Sequence, residues 1–450
     1  MSVLIIFLLI CLTILLIGAR CLYSYKAKLD KYLKTYVKQG WFSGSVLIAK
    51  NGKILLCKGY GMANYEHDIT NKPQTIFRLG SISKQFTSML VMQLQEKGLL
   101  HVNDSLSKYI PDYPSGDKIT IHHLLTHTAG IPNYVSFSLP EYKNEKIKPH
   151  TIEQIIEIFK NKPLEFKAGE KHSYSNSGYT LLSYIIEKAS GKKYEIILKE
   201  NIFDPLNMKH SGYDNYSRII KNRASGYDIV DDDLANASYI DMSFPTGAGG
   251  LYSTVEDLYI WDQALYTEKL VSRKTLNEIF TPFINEYGYG WRIKSLFNHT
   301  QITHSGLIDG FATDIHRYPD DNICIIVLSN FQRSPLANVI TPGLAAIVFG
   351  EKYELPKKQV VTKIDPMVYD QYVGKYKLRE NFIITVTKED NKLITQATGQ
   401  HKFQIYPESE TEFFLKAFYA QGTFVKDEKG KVTKLILHQD GKDLVAEKVD

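Results

Sequence analysis

The chain has 450 residues, more than one ordinary domain of about 100–200 residues, so two or three domains are expected. An apolar share of 44% and a charged share of 23% are those of a globular protein. They exclude a disordered, collagen-like or multi-span membrane chain. A net charge of +5 over this length is far from the basic stripe of a nucleic-acid binder.

In chain order, residues 3–19 read VLIIFLLICLTILLIGA, with Thr13 as the polar interruption and Arg20 at the end. A charge-free run of this length is at the short end of what crosses a bilayer as a helix. Residues 1–20 are therefore expected to be a transmembrane anchor or a signal segment. The lack of Lys or Arg before the run favours an uncleaved anchor, hence a single-pass protein of the cell membrane. Arg20, Lys26, Lys28, Lys31 and Lys34 follow it. By the positive-inside rule they pull the rest of the chain toward the cytoplasm. Alternatively they are the wet face of an amphipathic helix within 21–40, where Leu22, Tyr25, Leu29, Tyr32, Leu33 and Tyr36 recur every three or four residues.

Residues 45–49 and 54–59 are apolar runs joined by Lys50-Asn51-Gly52-Lys53, the Asn-Gly signature of a β-hairpin. Residues 81–95 read as a helix with Phe86, Met89, Leu90 and Leu94 inward and Gly98 at its C-cap. Short helices follow, interrupted by Pro111, Pro114, Pro132 and Pro163, then a helix over 177–189 closed by Gly191. A glycine cluster at 247–250 precedes a helix over 254–265. Strand patterns return at 289–293, 301–304, 312–317 and 322–328, and 335–349 is helical. Strands open the region, helices fill it and strands close it. This predicts an α+β domain over 41–350, an antiparallel sheet flanked by a helical domain. Residues 351–365 read as a linker. Short strands at 382–387, 392–397, 402–406, 412–415, 422–426 and 431–438 predict a small all-β barrel-like domain over 366–450. Cys57 and Cys324 lie in strand-like runs and are expected to pack as small apolar residues. No paired Cys/His spacing for a metal appears, and no cofactor is implied. His123 and His127 are four apart but lack the carboxylate and third ligand of a zinc helix.

Three Ser-x-x-Lys patterns occur: Ser81/Lys84, Ser105/Lys108 and Ser190/Lys193. Ser190 is at a helix end and Ser105 in a loop. Ser81 opens the long amphipathic helix, where its Oγ meets the positive end of the helix field and Lys84 lies one turn on, on the same face. For Lys84 to take the serine proton it must be neutral, which burial produces. Tyr174-Ser175-Asn176 precedes the second helix, and residues two apart in an extended segment point to one side. That suits a proton-shuttling phenol and a carbonyl-holding amide; Tyr142/Asn144 and Tyr213/Asn215 repeat the spacing without that setting. His304-Ser305-Gly306 ends a strand of the closing sheet, where the glycine lets a substrate backbone lie close. His210-Ser211-Gly212 is its decoy.

Taken in order, these motifs resemble the penicillin-recognising serine hydrolases: class C β-lactamases, penicillin-binding proteins with DD-peptidase activity, D-aminopeptidases and related esterases. FRLGSISKQFT (77–87), LLTHTAGIPNY (124–134), HSYSNSGYTLL (172–182), PTGAGGLYSTVEDL (245–258) and HSGLIDGF (304–311) carry the resemblance, which spans about 41–350. The end of the chain resembles the lipocalin-like β domain appended to such proteins. The resemblance implies a β-lactamase/transpeptidase-like fold, with Ser81 as acylated nucleophile, Lys84 and Tyr174 sharing the proton transfers, and Asn176 holding the acyl side chain. It also implies that His304, Ser305 and Gly306 form the strand beside the substrate, and that the backbone N–H groups of Ser81 and Leu307 make the oxyanion hole. The expected substrate is a small peptide, amide, ester or β-lactam, met outside the membrane in the cell envelope; no nucleic acid is expected as partner. His304 stands where many β-lactamases have the lysine of Lys-Thr-Gly, and HTAG at 127–130 replaces HTSG. The lost cation favours a peptidase or esterase over an efficient β-lactamase. A binding sensor without turnover, or a true class C-like β-lactamase, is the alternative.

Overall fold

Asn51 and Gly52 both take positive φ, the conformation that a tight hairpin requires. They join strands Gly44–Lys50 and Lys53–Tyr60, with Lys50 opposite Lys53. The computed structural model describes residues 25–135, 140–230, 233–357, 359–400, 402–439 and 442–449. The hairpin is one edge of a six-stranded antiparallel sheet completed by Ile323–Ser329, Phe311–Tyr318, His299–Ile308 and Arg292–Leu296, in that spatial order. Gly44–Lys50 pairs with Ile323–Ser329 along its whole length, so the sheet joins the two ends of the α+β domain as the element order predicts.

Alternation along these strands feeds two cores. Leu47, Ala49, Ile326 and Leu328 face the helical region, where helices Ser83–Glu96, Asn176–Ser190 and Val255–Ala264 contribute Phe86, Leu90, Leu182 and Trp261. Val46, Ile48, Ile325 and Val327 face the other way, onto Leu29, Leu33 and Tyr36 and onto Leu344 and Ile347 of helix Thr341–Phe349. Cys324 is buried, Cys57 half-buried, and both are free.

The sequence-based placement as a single-pass cell-membrane protein with an extracytoplasmic catalytic domain is corrected here. Among the described residues no helix is long and apolar enough to cross a membrane; residues 3–19 lie outside the described residues. Residues 25–38 form a helix whose Leu29, Tyr32, Leu33 and Tyr36 are buried in the domain core, while Lys26, Lys28, Lys31 and Lys34 are exposed. Those lysines are thus the wet face of a docked helix.

The C-terminal part is a closed antiparallel barrel of eight strands. Six of them overlap the predicted strands. The pair that closes it, Gly374–Arg379 and Lys442–Val449, has Lys375 opposite Val449 and Lys377 opposite Glu447. The barrel rests on the first domain through Tyr419, whose ring stands edge-on to Trp41 at 5.6 Å and tilts over Tyr36 at 6.2 Å.

Candidate active site

Gly80 has a φ of +53°, and a Cβ there would lie 2.9 Å from the backbone nitrogen of Leu307. Glycine is therefore the residue that lets the chain turn against the strand. Ser81 occupies the middle of the 3-10 turn Gly80–Ile82, immediately ahead of helix Ser83–Glu96. Lys84, in the first turn, is fully buried. Its Nζ lies 3.0 Å from Ser81 Oγ, 2.8 Å from Asn176 Oδ1 and 2.8 Å from the Ala248 carbonyl oxygen. Two of these partners only accept; the serine hydroxyl can also donate. A neutral amine has two N–H bonds and one lone pair, so it satisfies this set when Ser81 donates to it. Burial holds Lys84 well below the ordinary lysine range, because desolvation penalises the charged form and no carboxylate is placed to offset it.

Tyr174 lies in extended chain before helix Asn176–Ser190. Its hydroxyl is buried and has no hydrogen-bond partner among the described residues. Burial raises its proton affinity above the usual phenol range, and Ser81 draws it partly back. Lys84 Nζ lies 4.8 Å from the Tyr174 ring centre. Asn176 is occupied on both sides: Oδ1 accepts from Lys84, while its backbone N–H and Nδ2 donate to Asn133 Oδ1 at 3.0 and 3.3 Å.

Along strand His299–Ile308, His304 and Gly306 point inward and Ser305 and Leu307 outward. A Cβ on Gly306 would lie 2.0 Å from the Leu79 carbonyl oxygen and 2.9 Å from Ser81 N. The missing side chain is what brings Ser81 and Leu307 together. His304 is buried and tied at both nitrogens: Nδ1 donates to the Ser305 carbonyl at 2.6 Å, and Nε2 accepts from the Tyr287 hydroxyl at 2.8 Å. Burial pushes its pKa down to about 3, and Lys84 and Arg292 push the same way. The imidazole is therefore neutral, as the sequence suggests for this position.

Ser81, Tyr174, Asn176, His304, Ser305, Gly306 and Leu307 share one cleft of about 980 Å³, with Lys84 beneath its floor. The decoys are elsewhere and engaged: Ser105 Oγ pairs with Ser107 Oγ, Ser190 Oγ donates to the Ile186 carbonyl, and Ser211 Oγ donates to Asp257. His123 caps helix Ile121–Leu125 through Thr120, and no cluster of three metal-ligating side chains occurs among the described residues.

Three residues of the cleft or its wall escaped the sequence reading. Asn133 holds Asn176, Tyr287 holds His304, and Arg292 lines the cleft with its guanidinium 5.5 Å from the Tyr287 ring centre. Among the described residues Arg292 pairs with no carboxylate, unlike Arg78, Arg223, Arg317 and Arg333. The glycine pattern of Tyr287-Gly288-Tyr289-Gly290-Trp291 was the available signal. Gly290 has a φ of +78°, and a Cβ there would meet the Lys84 carbonyl oxygen at 2.7 Å. The segment threads against helix Ser83–Glu96, where a larger residue does not fit.

Comparison with known proteins agrees with this geometry. The family described as Beta-lactamase matches residues 29–348, and a domain of unknown function (DUF3471) matches residues 358–448. Penicillin-binding protein 4* of Bacillus subtilis is 32% identical over 444 residues, covering 92% of this chain and 96% of that protein. Teichoic acid D-alanine hydrolase of Staphylococcus aureus is 31% identical over 281 residues, covering 61% of this chain and 68% of that protein. The octameric penicillin-binding protein homologue from Pyrococcus abyssi superposes with a TM-score of 0.65 at 25% identity, over 93% of this chain and 99% of that one. The family match covers most of the chain and contains every residue of the Ser81 cleft except those the barrel contributes; the chain belongs to the β-lactamase family of serine hydrolases.

Proposed function

We propose that the protein forms an acyl-enzyme at Ser81 and hydrolyses, or transfers, D-amino-acid peptides, amides or esters. The observation that carries this reading is the set of bonds around Lys84 Nζ: two obligate acceptors and the Ser81 hydroxyl, with no carboxylate among the described residues to keep the ammonium charged. Lys84 takes the proton as Ser81 Oγ attacks the substrate carbonyl. The backbone N–H groups of Ser81 and Leu307 bind the resulting oxyanion. Tyr174, protonated and without a hydrogen-bond partner among the described residues, passes a proton toward the leaving group and recovers one from Lys84. Asn176 acts by holding Lys84 in place rather than by spending its oxygen on substrate. Water or an acceptor amine then releases the acyl group.

Two features support a D-alanyl substrate with an anionic group. Relatives carry the names penicillin-binding protein and teichoic acid D-alanine hydrolase, and Arg292 lines the cleft with a guanidinium that pairs with no carboxylate among the described residues. His304 adds no positive charge there, so recognition of a carboxylate falls to Arg292. The test is mass spectrometry of the intact protein after incubation with a labelled penicillin or a fluorophosphonate. A single adduct on the peptide carrying Ser81, absent in Ser81→Ala, is expected. The same adduct in Ser81→Ala refutes the assignment. Turnover of D-alanyl peptides and D-alanyl esters, compared on wild type and Arg292→Ala, then fixes the substrate class.

A further inference from the structure

The closed barrel is not solid. Inside it is a cavity of about 110 Å³ walled by apolar side chains, among them Ile384, Val386, Ile405, Leu415, Phe424 and Leu435. Its polar lining is confined to Thr395, Gln400 and Gln439. Gln400, Gln439 and Phe418 also line the cleft that contains Ser81. The two cavities therefore meet at this end of the barrel, and the two glutamines are placed where they meet. Phe418 stands edge-on to Phe403 at 5.2 Å, and Phe403 in turn lies under the Arg333 guanidinium at 5.9 Å. Tyr419 of the barrel and Arg333 of the first domain continue the cleft wall.

We propose that the barrel cavity is a binding subsite for the hydrocarbon tail of an amphipathic substrate, whose polar remainder passes Gln400 and Gln439 and lies along the cleft toward Ser81. The lining chooses the chemistry. A dry apolar cavity takes hydrocarbon, and one of roughly 150 Å³ accommodates a benzene ring, so this one has room for the end of a single alkyl chain. A cleft of about 980 Å³ is at the top of the range for small-ligand sites, roughly 300–1,000 Å³, which fits an elongated substrate better than a single amino-acid amide. The two amide side chains at the junction can bond the polar part and cannot follow the tail inward. The subsite rests on the Ser81 reading only for the direction in which the polar end points.

The test uses the full chain as Ser81→Ala, so that binding is read without turnover. Calorimetric titration compares N-decanoyl-D-alanyl-D-alanine with N-acetyl-D-alanyl-D-alanine. The expected result is at least a tenfold lower Kd for the decanoyl compound, and loss of that difference in Leu435→Trp, which fills the cavity. An equal Kd for both compounds, or a tenfold preference that survives in Leu435→Trp, overturns the proposal. A second measurement does not depend on that variant folding. A decanoyl analogue with a terminal diazirine, photolysed on the Ser81→Ala chain, should label peptides within residues 382–439. Labelling confined to residues 41–350 overturns the subsite. Neither outcome depends on an adduct at Ser81, so failure of the subsite and failure of the acyl-enzyme reading are told apart.

Discussion

Lys84 is a cation-forming side chain held without a counter-ion in the interior, and that sets its two costs apart. Removing it takes away the proposed base, which at such positions contributes roughly 10²–10⁴-fold. It also removes the donor to Asn176 Oδ1 and to the Ala248 carbonyl oxygen, and a buried acceptor left without a donor costs about 1–3 kcal/mol. Lys84→Met is therefore expected to slow acylation of Ser81 by about 10²–10⁴-fold and to lower the thermal midpoint modestly. Stopped-flow labelling and calorimetry on the same preparation check both; a lowered midpoint with acylation unchanged assigns Lys84 to the framework alone. Tyr174→Phe tests the proposed second proton carrier. Among the described residues the hydroxyl has no hydrogen-bond partner, so stability is expected to hold while release of a poor leaving group slows more than release of a good one, measured with amide and activated-ester substrates.

At the scale of elements, the site is a contact between one strand and one turn. Gly306→Ala places a methyl carbon 2.0 Å from the Leu79 carbonyl oxygen and 2.4 Å from Thr313 Oγ1. The strand must back away from Ser81. Overpacking of this kind costs about 1–3 kcal/mol, and it displaces the Leu307 nitrogen from the place the proposed oxyanion hole requires. Loss of labelling with a modest fall in thermal midpoint is expected; full labelling contradicts the close approach. The residues on both sides of this contact are marked in the sequence, by a glycine before Ser81, a glycine after Ser305, and a serine and lysine one helical turn apart. The contact itself is not, since the sequence pattern predicts that Gly306 makes room for a substrate backbone and the structure puts the Leu79 carbonyl there. Asn133, Tyr287 and Arg292 left weaker marks. Each acts through a partner far along the chain, Asn133 on Asn176 and Tyr287 on His304, and local periodicity carries no trace of such pairs. The barrel shows the same limit. Phe382–Glu389 through Val432–Gln439 alternate well enough to be read, whereas Gly374–Arg379 and Lys442–Val449 expose Lys375, Lys377, Lys442 and Glu447 and bury only Tyr376 and Ala446 fully. Their strand character comes from pairing with each other, which closes the barrel.

For the molecule as a whole, the buried histidines set a dependence on acidity. His304 is held down to about 3 from an ordinary 6.5 by burial, with Lys84 and Arg292 adding to it, and burial holds His127 well below its ordinary value too. The unfolded chain binds these protons below pH 6.5 and the folded chain does not. Stability is therefore complete above that value and falls as pH drops from 6.5 toward 3. The thermal midpoint is expected to decline between pH 7 and pH 5, before most carboxylates titrate, and to decline less in His304→Gln. A midpoint that is level over that interval, or a slope unchanged in the variant, contradicts the assignment.

The pairing of Gly44–Lys50 with Ile323–Ser329 has a consequence for the order of events at synthesis. Strands so distant in sequence close late, because the intervening loop must first be ordered. Ser43 accepts a bond from Ser329 across the length of the domain, and His299–Ile308 reaches Ser81 only as part of that same sheet. Until then nothing buries Lys84, and its proton affinity is not held down. On the proposed acyl-enzyme reading, reactivity at Ser81 is a property of the finished fold, so a nascent or partly unfolded chain carries the residues of a hydrolase without its reactivity.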